Sequence, residues 1–123
     1  MTQAVILIVE DDPLGRELAQ EILNAAGYAV LSAEDGVGLL ERVKIEWPDL
    51  ILMDLHLPGI DGFTLIRTLK ADAATREIPV VVTTAYSQPE SEAKALEAGC
   101  AAYLTKPLDS NLLLKTVVTL LTR

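Results

Sequence analysis

Carboxylates, a hydroxyl and one amine stand where the apolar runs of this sequence end. Glu10 and Asp11 follow one such run, Asp54 follows a second, Thr84 ends a third, and Lys106 follows a fourth. Clustered carboxylates raise one another's pKa unless a cation neutralises them. A set of oxygen ligands suits a hard cation, Mg²⁺ or Mn²⁺. A carboxylate beside such a cation and a lysine is equipped to form an aspartyl phosphate.

Several other chemistries are excluded by what the sequence lacks. His56 and Cys100 are its single histidine and single cysteine, too few nitrogen and sulfur ligands for a zinc site. No G-x-x-x-x-G-K-[ST] loop is present, and no serine lies on a nucleophile elbow, so a Ser-His-Asp site is excluded. We expect Cys100 to be a small buried apolar residue.

Length and charge limit the class of protein further. A chain of 123 residues predicts one domain, over 1–123, and its 50% hydrophobic content argues against disorder. The net charge of −8 argues against binding nucleic acid or anionic membranes. There is no apolar segment of about 20 residues and no basic secretory leader, so we expect a cytoplasmic protein.

The elements that must position these residues follow from an alternation of short apolar runs with stretches of helical period. Five such β-α units predict an α/β fold, a doubly wound, five-stranded parallel sheet flanked by five helices. Ligands of these sheets bind at the carboxyl ends of the strands. We expect strands at 5–9, 28–33, 50–53, 80–84 and 101–105, and helices at 13–26, 37–46, 87–98 and 110–121. A further helix is expected after Asp61, with Phe63, Ile66 and Leu69 on one side.

Caps and apolar positions give each helix an expected start and face. Asp12, Asp61 and Asp109 are candidate N-caps, and Ser87 with Glu90 forms a candidate capping box. The first helix carries an apolar series at steps of four, made of Leu14, Leu18, Ile22 and Ala26.

The last two helices differ in their apolar content. The fourth has a thin apolar stripe, chiefly Ala93, Ala95 and Leu96, so we expect it to be among the least stable elements. The last helix has more apolar residues than one buried face requires, which indicates a partner surface.

Taken in order, the motifs at the strand ends resemble those of the receiver domain of two-component response regulators, of the chemotaxis-regulator type. The resemblance covers the whole chain and implies the flavodoxin-like, (βα)5 fold. The matching segments are Val-Glu-Asp-Asp at 9–12, Leu-Met-Asp-Leu-His-Leu-Pro-Gly-Ile-Asp-Gly at 52–62, Ile-Pro-Val at 78–80, Thr-Ala at 84–85, Ala-Gly-Cys-Ala-Ala-Tyr at 98–103 and Lys-Pro at 106–107.

The resemblance implies a phosphoacceptor and a metal site. Asp54 would accept the phosphoryl group. Glu10, Asp11, Asp54 and the backbone carbonyl of His56 would hold Mg²⁺ or Mn²⁺, with Asp11 as a direct ligand and Glu10 able to act through water. Asp12 would instead cap the first helix.

It also implies residues that contact the phosphoryl group. The Thr84 hydroxyl would bond a phosphoryl oxygen, small Ala85 would leave room, and Thr83 would be a packed strand residue. Lys106 would pair with the phosphoryl group or with the acceptor, positioned by a Lys-Pro bond before Pro107 that is usually cis in the family.

Three further positions have a functional and an ordinary interpretation. Tyr103 matches the family's switch aromatic, or is an ordinary strand tyrosine. The His56 side chain and Tyr86 could control water access and the lifetime of the phosphate, or His56 is simply an exposed loop residue.

We therefore expect a receiver that takes a phosphoryl group from a histidine kinase or a histidine phosphotransfer protein. It would then bind an effector through its last two helices and fifth strand, with a homodimer as another outcome. The alternatives are a phosphate-independent interaction module and a small aspartate-based phosphatase. The phosphatase is disfavoured because His56 stands where its second aspartate belongs, and we expect no enzyme beyond assistance to the domain's own phosphorylation and dephosphorylation.

Overall fold

Strands and helices alternate strictly in the computed structural model, which describes residues 3–85 and 88–122. Boundaries lie within two residues of the predicted ones, apart from the Tyr86-Ser87 region. The elements are β1 (Val5–Val9), α1 (Pro13–Ala25), β2 (Ala29–Ala33), α2 (Leu39–Glu46), β3 (Leu50–Asp54), α3 (Gly62–Ala71), β4 (Val80–Thr84), α4 (Pro89–Ala98), β5 (Ala102–Thr105) and α5 (Ser110–Leu121).

The strands form one parallel sheet in the order β2-β1-β3-β4-β5, which confirms the predicted fold class. Alternate residues of β1 face the two helical layers. Leu7 and Val9 pack into the core under α2, α3 and α4, whereas Ile6 and Ile8 pack into the core under α1 and α5. The strand order switches between β1 and β3, so their carboxyl ends flank the crevice where ligands bind in such sheets.

Three aspartates cap helices as predicted. The Asp12 carboxylate accepts a hydrogen bond from the Gly15 N–H at 3.2 Å, and Asp61 accepts one from the Thr64 N–H at 2.9 Å. Asp109 accepts one from the N–H of the third residue of α5 at 3.0 Å. Each cap satisfies a backbone donor that the first helical turn leaves unpaired.

The predicted face of α1 is wrong. Ala19 and Leu23 are the buried residues of this helix, whereas Leu14 is 76% exposed and Leu18 is 44% exposed. A helix turns 100° per residue, so a series at steps of four rotates by about 40° at each step. Such a series starts on the solvent side of α1 and approaches the sheet only near Ile22.

The start of α4 also differs from the prediction. The helix begins at Pro89, and its N-cap is Gln88, whose side chain makes no capping bond. Ser87 lies outside the described residues, so its predicted capping role is not described. Ala95 of the predicted stripe is buried, together with Ala98, whereas Ala93 and Leu96 are exposed.

The last helix has both a buried and an exposed apolar side. Leu113 and Val117 are buried, whereas Leu112 is 50% exposed and Val118 is 48% exposed. Cys100 is buried, as predicted. Within the described residues, none of the helices is long and apolar enough to cross a membrane.

Candidate functional site

Three carboxylates meet at the carboxyl edge of the sheet. Glu10 and Asp11 follow β1, Asp54 ends β3, and each offers an oxygen that lies within 4.8 Å of the other two. Glu10 and Asp54 are buried in the wall of this edge, while Asp11 is exposed at its rim. Oxygen atoms at this spacing, partly open to solvent, fit a hard divalent cation that keeps some of its waters.

Lys106 connects two of these carboxylates. Its ammonium donates to Asp54 Oδ2 at 2.8 Å and to Glu10 Oε1. The Lys106-Pro107 bond is cis, as in the family pattern. One lysine therefore offsets part of the negative charge at this edge and joins the residue after β1 to the last residue of β3.

Burial and ion pairing shift the pKa values of Glu10 and Lys106 in opposite directions. Burial raises the pKa of Glu10, the hydrogen bond from Lys106 lowers it, and neighbouring Asp54 raises it again, so the net direction is upward. Burial lowers the pKa of Lys106, but its hydrogen bonds to Asp54 and Glu10 outweigh that effect, and the net direction is also upward. The lysine stays protonated at neutral pH, and an added cation would favour the ionised carboxylates.

The backbone holds the Asp54 side chain from the other side. The His56 N–H donates to Asp54 Oδ1 at 2.9 Å, so each carboxylate oxygen has a donor. The N–H of Leu55, the next residue after Asp54, donates to the Thr83 carbonyl at 3.1 Å. The Lys106 N–H likewise donates to the carbonyl of Thr84 at 2.8 Å, so the end of β4 holds the segments that follow β3 and β5.

Thr83 and Thr84 face opposite layers at the end of β4, as strand alternation requires. Both are buried, and Thr83 lies on the side of α1. A hydrogen bond joins the side chains of Thr84 and Tyr103 across the β4–β5 pair. Burial is the main cause of a raised Tyr103 pKa. Thr84 is thus linked to β5, and Ala85 beside it is small and exposed.

Sequence comparison decides the family. The profile of the response regulator receiver domain matches residues 6–118. The chain belongs to this family. Its function is that of a phosphorylatable receiver in two-component signalling.

Two relatives show how the receiver occurs in longer and shorter proteins. The polar-differentiation response regulator DivK of Brucella ovis is 35% identical over 117 residues, which cover 95% of this chain and 94% of that protein. RpaA of Synechocystis, a DNA-binding dual master transcriptional regulator, is 42% identical over 119 residues. The match covers 96% of this receiver but only 49% of RpaA.

Solved structures give the same family. A putative response regulator from Chloroflexus aurantiacus superposes with a TM-score of 0.95 at 33% identity, covering 99% of this chain and all of that one. The receiver domain of a sensor histidine kinase from Pseudomonas aeruginosa superposes with a TM-score of 0.91 at 29% identity, covering 99% of this chain and 100% of that one. That structure holds a magnesium ion in its active-site cleft.

Two predicted residues of the receiver site are described only in part or not at all. The His56 side chain is exposed, in agreement with the ordinary interpretation of a loop histidine, which leaves its effect on phosphate lifetime a prediction. Tyr86 lies outside the described residues, and its expected role in shielding the phosphate is not described.

Sequence reasoning missed an apolar cavity beside the receiver site. It has a volume of about 250 Å³ and lies between α1 and the segment after β5, with Leu14, Leu18, Leu52 and Pro107 among its walls. The two leucines belong to the apolar series predicted for α1. An i+4 series rotates around the helix, so the series alone does not show which of its members face the sheet.

Sequence reasoning also missed Arg16. This α1 side chain is 18% exposed, and its Nη1 donates to the Glu10 carbonyl at 2.9 Å. Its Nη2 lies 3.6 Å from Glu34 Oε1. The sequence signal that could have indicated this contact is a basic residue one turn into a helix that follows an acidic loop.

Proposed function

We propose that Asp54 is the phosphoacceptor of this receiver. The observation that carries the proposal is the environment of its carboxylate, which is buried, held by Lys106 on one oxygen and by a backbone N–H on the other, and adjacent to Glu10 and Asp11. Two fixed donors orient the carboxylate. An oxygen held in this way can keep a lone pair directed at an incoming phosphorus atom.

The transfer is a displacement at phosphorus. An Asp54 oxygen forms a new O–P bond while the P–N bond of a donor phosphohistidine breaks, and the electron pair leaves with the imidazole of the kinase or phosphotransfer protein. Lys106 and the His56 N–H hold the carboxylate during attack. Lys106 then lies close enough to pair with the negative phosphoryl group, which replaces the charge that it neutralises before transfer.

Glu10, Asp11, Asp54 and the backbone carbonyl of His56 would hold Mg²⁺ or Mn²⁺. Such a cation offsets charge on the transferring oxygens. The support is the short separation of the three carboxylates, together with the magnesium ion in the cleft of the Pseudomonas receiver. The exposed position of Asp11 suits a ligand that meets a hydrated cation from solvent.

The Thr84 hydroxyl would bond a phosphoryl oxygen, and Ala85 would leave room for it. That bond competes with the hydrogen bond between Thr84 and Tyr103, so phosphorylation would release the tyrosine ring to move inward. Pro107, which follows Lys106 through a cis peptide bond, would be a structural residue of the site. The His56 side chain and Tyr86 would set how readily water reaches the phosphate.

The rearrangement of Thr84 and Tyr103 would reach a surface formed by α4, β5 and α5. Leu96, Leu112 and Val118 are about half exposed on the two helices, which suits an effector protein or a second copy of the chain. We expect no nucleic-acid or membrane contact by this domain. Its role is signalling rather than turnover of a separate substrate, and its setting is the cytoplasm, where Cys100 stays reduced.

Intact mass spectrometry tests the phosphoacceptor. The chain is incubated with Mg²⁺ and a small-molecule phosphodonor, beside Asp54→Asn and the control Asp61→Asn, which removes a carboxylate from a nearby cap but not from the site. The parent and the control should gain one phosphoryl group, and Asp54→Asn should gain none. Equal labelling of Asp54→Asn, or no labelling of the parent by either this donor or a histidine kinase, contradicts the proposal.

Sedimentation of the same samples tests the partner surface. If the surface joins two copies, phosphorylation should increase the dimer fraction, and Leu112→Ser with Val118→Ser should reverse the increase. If the chain is a monomer at all concentrations, phosphorylated or not, the surface does not bind a second copy, and an effector protein is the remaining partner.

A further inference from the structure

Arg16 connects α1 to the loop that carries the acidic pair. Its guanidinium donates to the backbone carbonyl of Glu10 at 2.9 Å, and the side chain is largely buried. Its other contact, with Glu34 Oε1 at 3.6 Å, involves a side chain that is 78% exposed. Exposed ion pairs at such distances contribute little, so the bond to the carbonyl is the more consequential contact.

The Glu10 carbonyl belongs to the peptide unit that joins Glu10 to Asp11. A peptide unit is planar, so a hydrogen bond that fixes its oxygen also fixes the orientation of the next Cα. The Glu10 N–H is held as well, because it donates to the Ala33 carbonyl at 3.0 Å. The backbone at the start of the acidic pair is thus held by β2 on one side of Glu10 and by Arg16 on the other.

Asp11 depends on this backbone more than the other two carboxylates do. Lys106 contacts the side chains of both Glu10 and Asp54. Among the described residues, by contrast, no hydrogen bond or ion pair holds the Asp11 side chain. Its position near the other carboxylates therefore follows from the direction of its Cα–Cβ bond, which the peptide plane sets.

We infer that Arg16 is a positioning residue of the metal site, which orients Asp11 through the Glu10 carbonyl and so sets the affinity for Mg²⁺. The inference rests on the proposed metal site. For the removal of Arg16, it predicts a change in Mg²⁺ affinity that is opposite in sign to the change predicted from charge alone. The positive charge of Arg16 repels a cation, so an electrostatic role alone predicts that its removal tightens Mg²⁺ binding, whereas a positioning role predicts weaker binding.

Calorimetric titration of the whole chain with Mg²⁺ separates the two roles. Arg16→Met removes the donors and keeps the apolar stem, and Glu34→Gln serves as the control that removes only the exposed ion pair. Loss of an outer contact that orients a ligand weakens metal binding by about 10-fold or more, so we expect a rise of about 10-fold in the Kd of Arg16→Met. Glu34→Gln should match the parent. An unchanged or lower Kd in Arg16→Met, or an equal rise in Glu34→Gln, overturns the inference.

A second pair of variants shows whether Arg16 acts through Asp11. In an Asp11→Ala background, the further change Arg16→Met should alter the Kd by less than about twofold, because the effects of two residues that act through one contact are not additive. If Asp11→Ala itself leaves the Kd unchanged, the proposed metal site is wrong. If Asp11→Ala raises the Kd and Arg16→Met does not, only the role of Arg16 is wrong. Thermal unfolding monitors folding throughout, and Arg16→Gln replaces Arg16→Met should the latter not fold.

Discussion

Replacing Lys106 by methionine removes the ammonium that joins two buried carboxylates and keeps the apolar stem. Glu10 is 5% exposed and Asp54 is 7% exposed, so neither charge can be solvated fully once the lysine is gone. Removal of one partner from a buried ion pair costs about 3–5 kcal/mol. The 23% exposure of the Lys106 side chain places the expected loss in the free energy of unfolding at the lower end, about 3 kcal/mol at pH 7.

Urea unfolding without Mg²⁺ measures this loss. With a slope of about 1.5 kcal/mol per molar, the midpoint should fall by about 2 M. Lys44→Met is the matched control, because the Lys44 ammonium pairs with one carboxylate, that of Asp72, at 2.6 Å on the surface. Its midpoint should move far less, because exposed pairs stabilise little.

The dependence of this stability loss on pH and on Mg²⁺ tests whether the unpaired buried carboxylates cause it. The raised pKa of Lys106 means that its stabilising contribution is complete at neutral pH and is lost only as the pH rises through the folded-state pKa. In the variant, the pKa of Glu10 loses the contact that lowers it and rises further above its unfolded value. The cost of that charge therefore diminishes as the pH falls and Glu10 is protonated, so the gap to the parent should narrow at lower pH.

Mg²⁺ should narrow the gap as well, because the variant site has lost a positive charge and should bind the cation more tightly. A ligand at ten times its Kd stabilises by about 1.4 kcal/mol. An equal midpoint shift in Lys44→Met, or a gap that neither Mg²⁺ nor acid reduces, would refute this account of the site.

Two further substitutions and one labelling experiment have expected outcomes. Gly15→Ala puts a Cβ 3.2 Å from Glu10 Oε1, so it should weaken Mg²⁺ binding in a titration while its better helix propensity, about 1 kcal/mol, keeps the thermal midpoint from falling. Asp61→Ala should lose about 1 kcal/mol in urea unfolding at pH 7. The Thr64 N–H lowers the pKa of Asp61, so this difference should disappear as the pH falls through that folded-state pKa, below about pH 4. Burial raises the pKa of Cys100 from 9.0 to about 11, so native protein at pH 8 should react with iodoacetamide at least about 100-fold more slowly than protein in urea.

The order of elements could be predicted from the sequence because the two periodicities differ so clearly. The buried strand β3 is apolar at each position before Asp54, whereas α3 repeats its apolar residues at helical spacing. The face of α1 could not be obtained from an i+4 series alone, since that series rotates around the helix. Which of several apolar sides meets the sheet is decided by packing, as Ala19 and Leu23 show.

The edge that gathers Glu10, Asp11, Asp54 and Lys106 could also be predicted, because parallel strands align their carboxyl ends. The double contact of Lys106 and the bond from Arg16 to a carbonyl could not. A backbone acceptor is present at every residue, so it leaves no trace in the residue types. Such contacts become visible only when the direction of each side chain is known.

Main-chain bonds at the end of β4 have a consequence for how this domain diversifies. The N–H groups of Leu55 and Lys106 donate to the carbonyls of Thr83 and Thr84, next to the side chain of Asp54. Every amino acid other than proline supplies these atoms. The spacing of the groups at this edge therefore depends little on which side chains the surrounding helices carry. The backbone arrangement is kept at low sequence identity, since the Chloroflexus protein superposes with a TM-score of 0.95 at 33% identity. One chemistry is thereby available to many different recognition surfaces, and a duplicated copy can acquire new partners without rebuilding the edge at which the phosphoryl group is held.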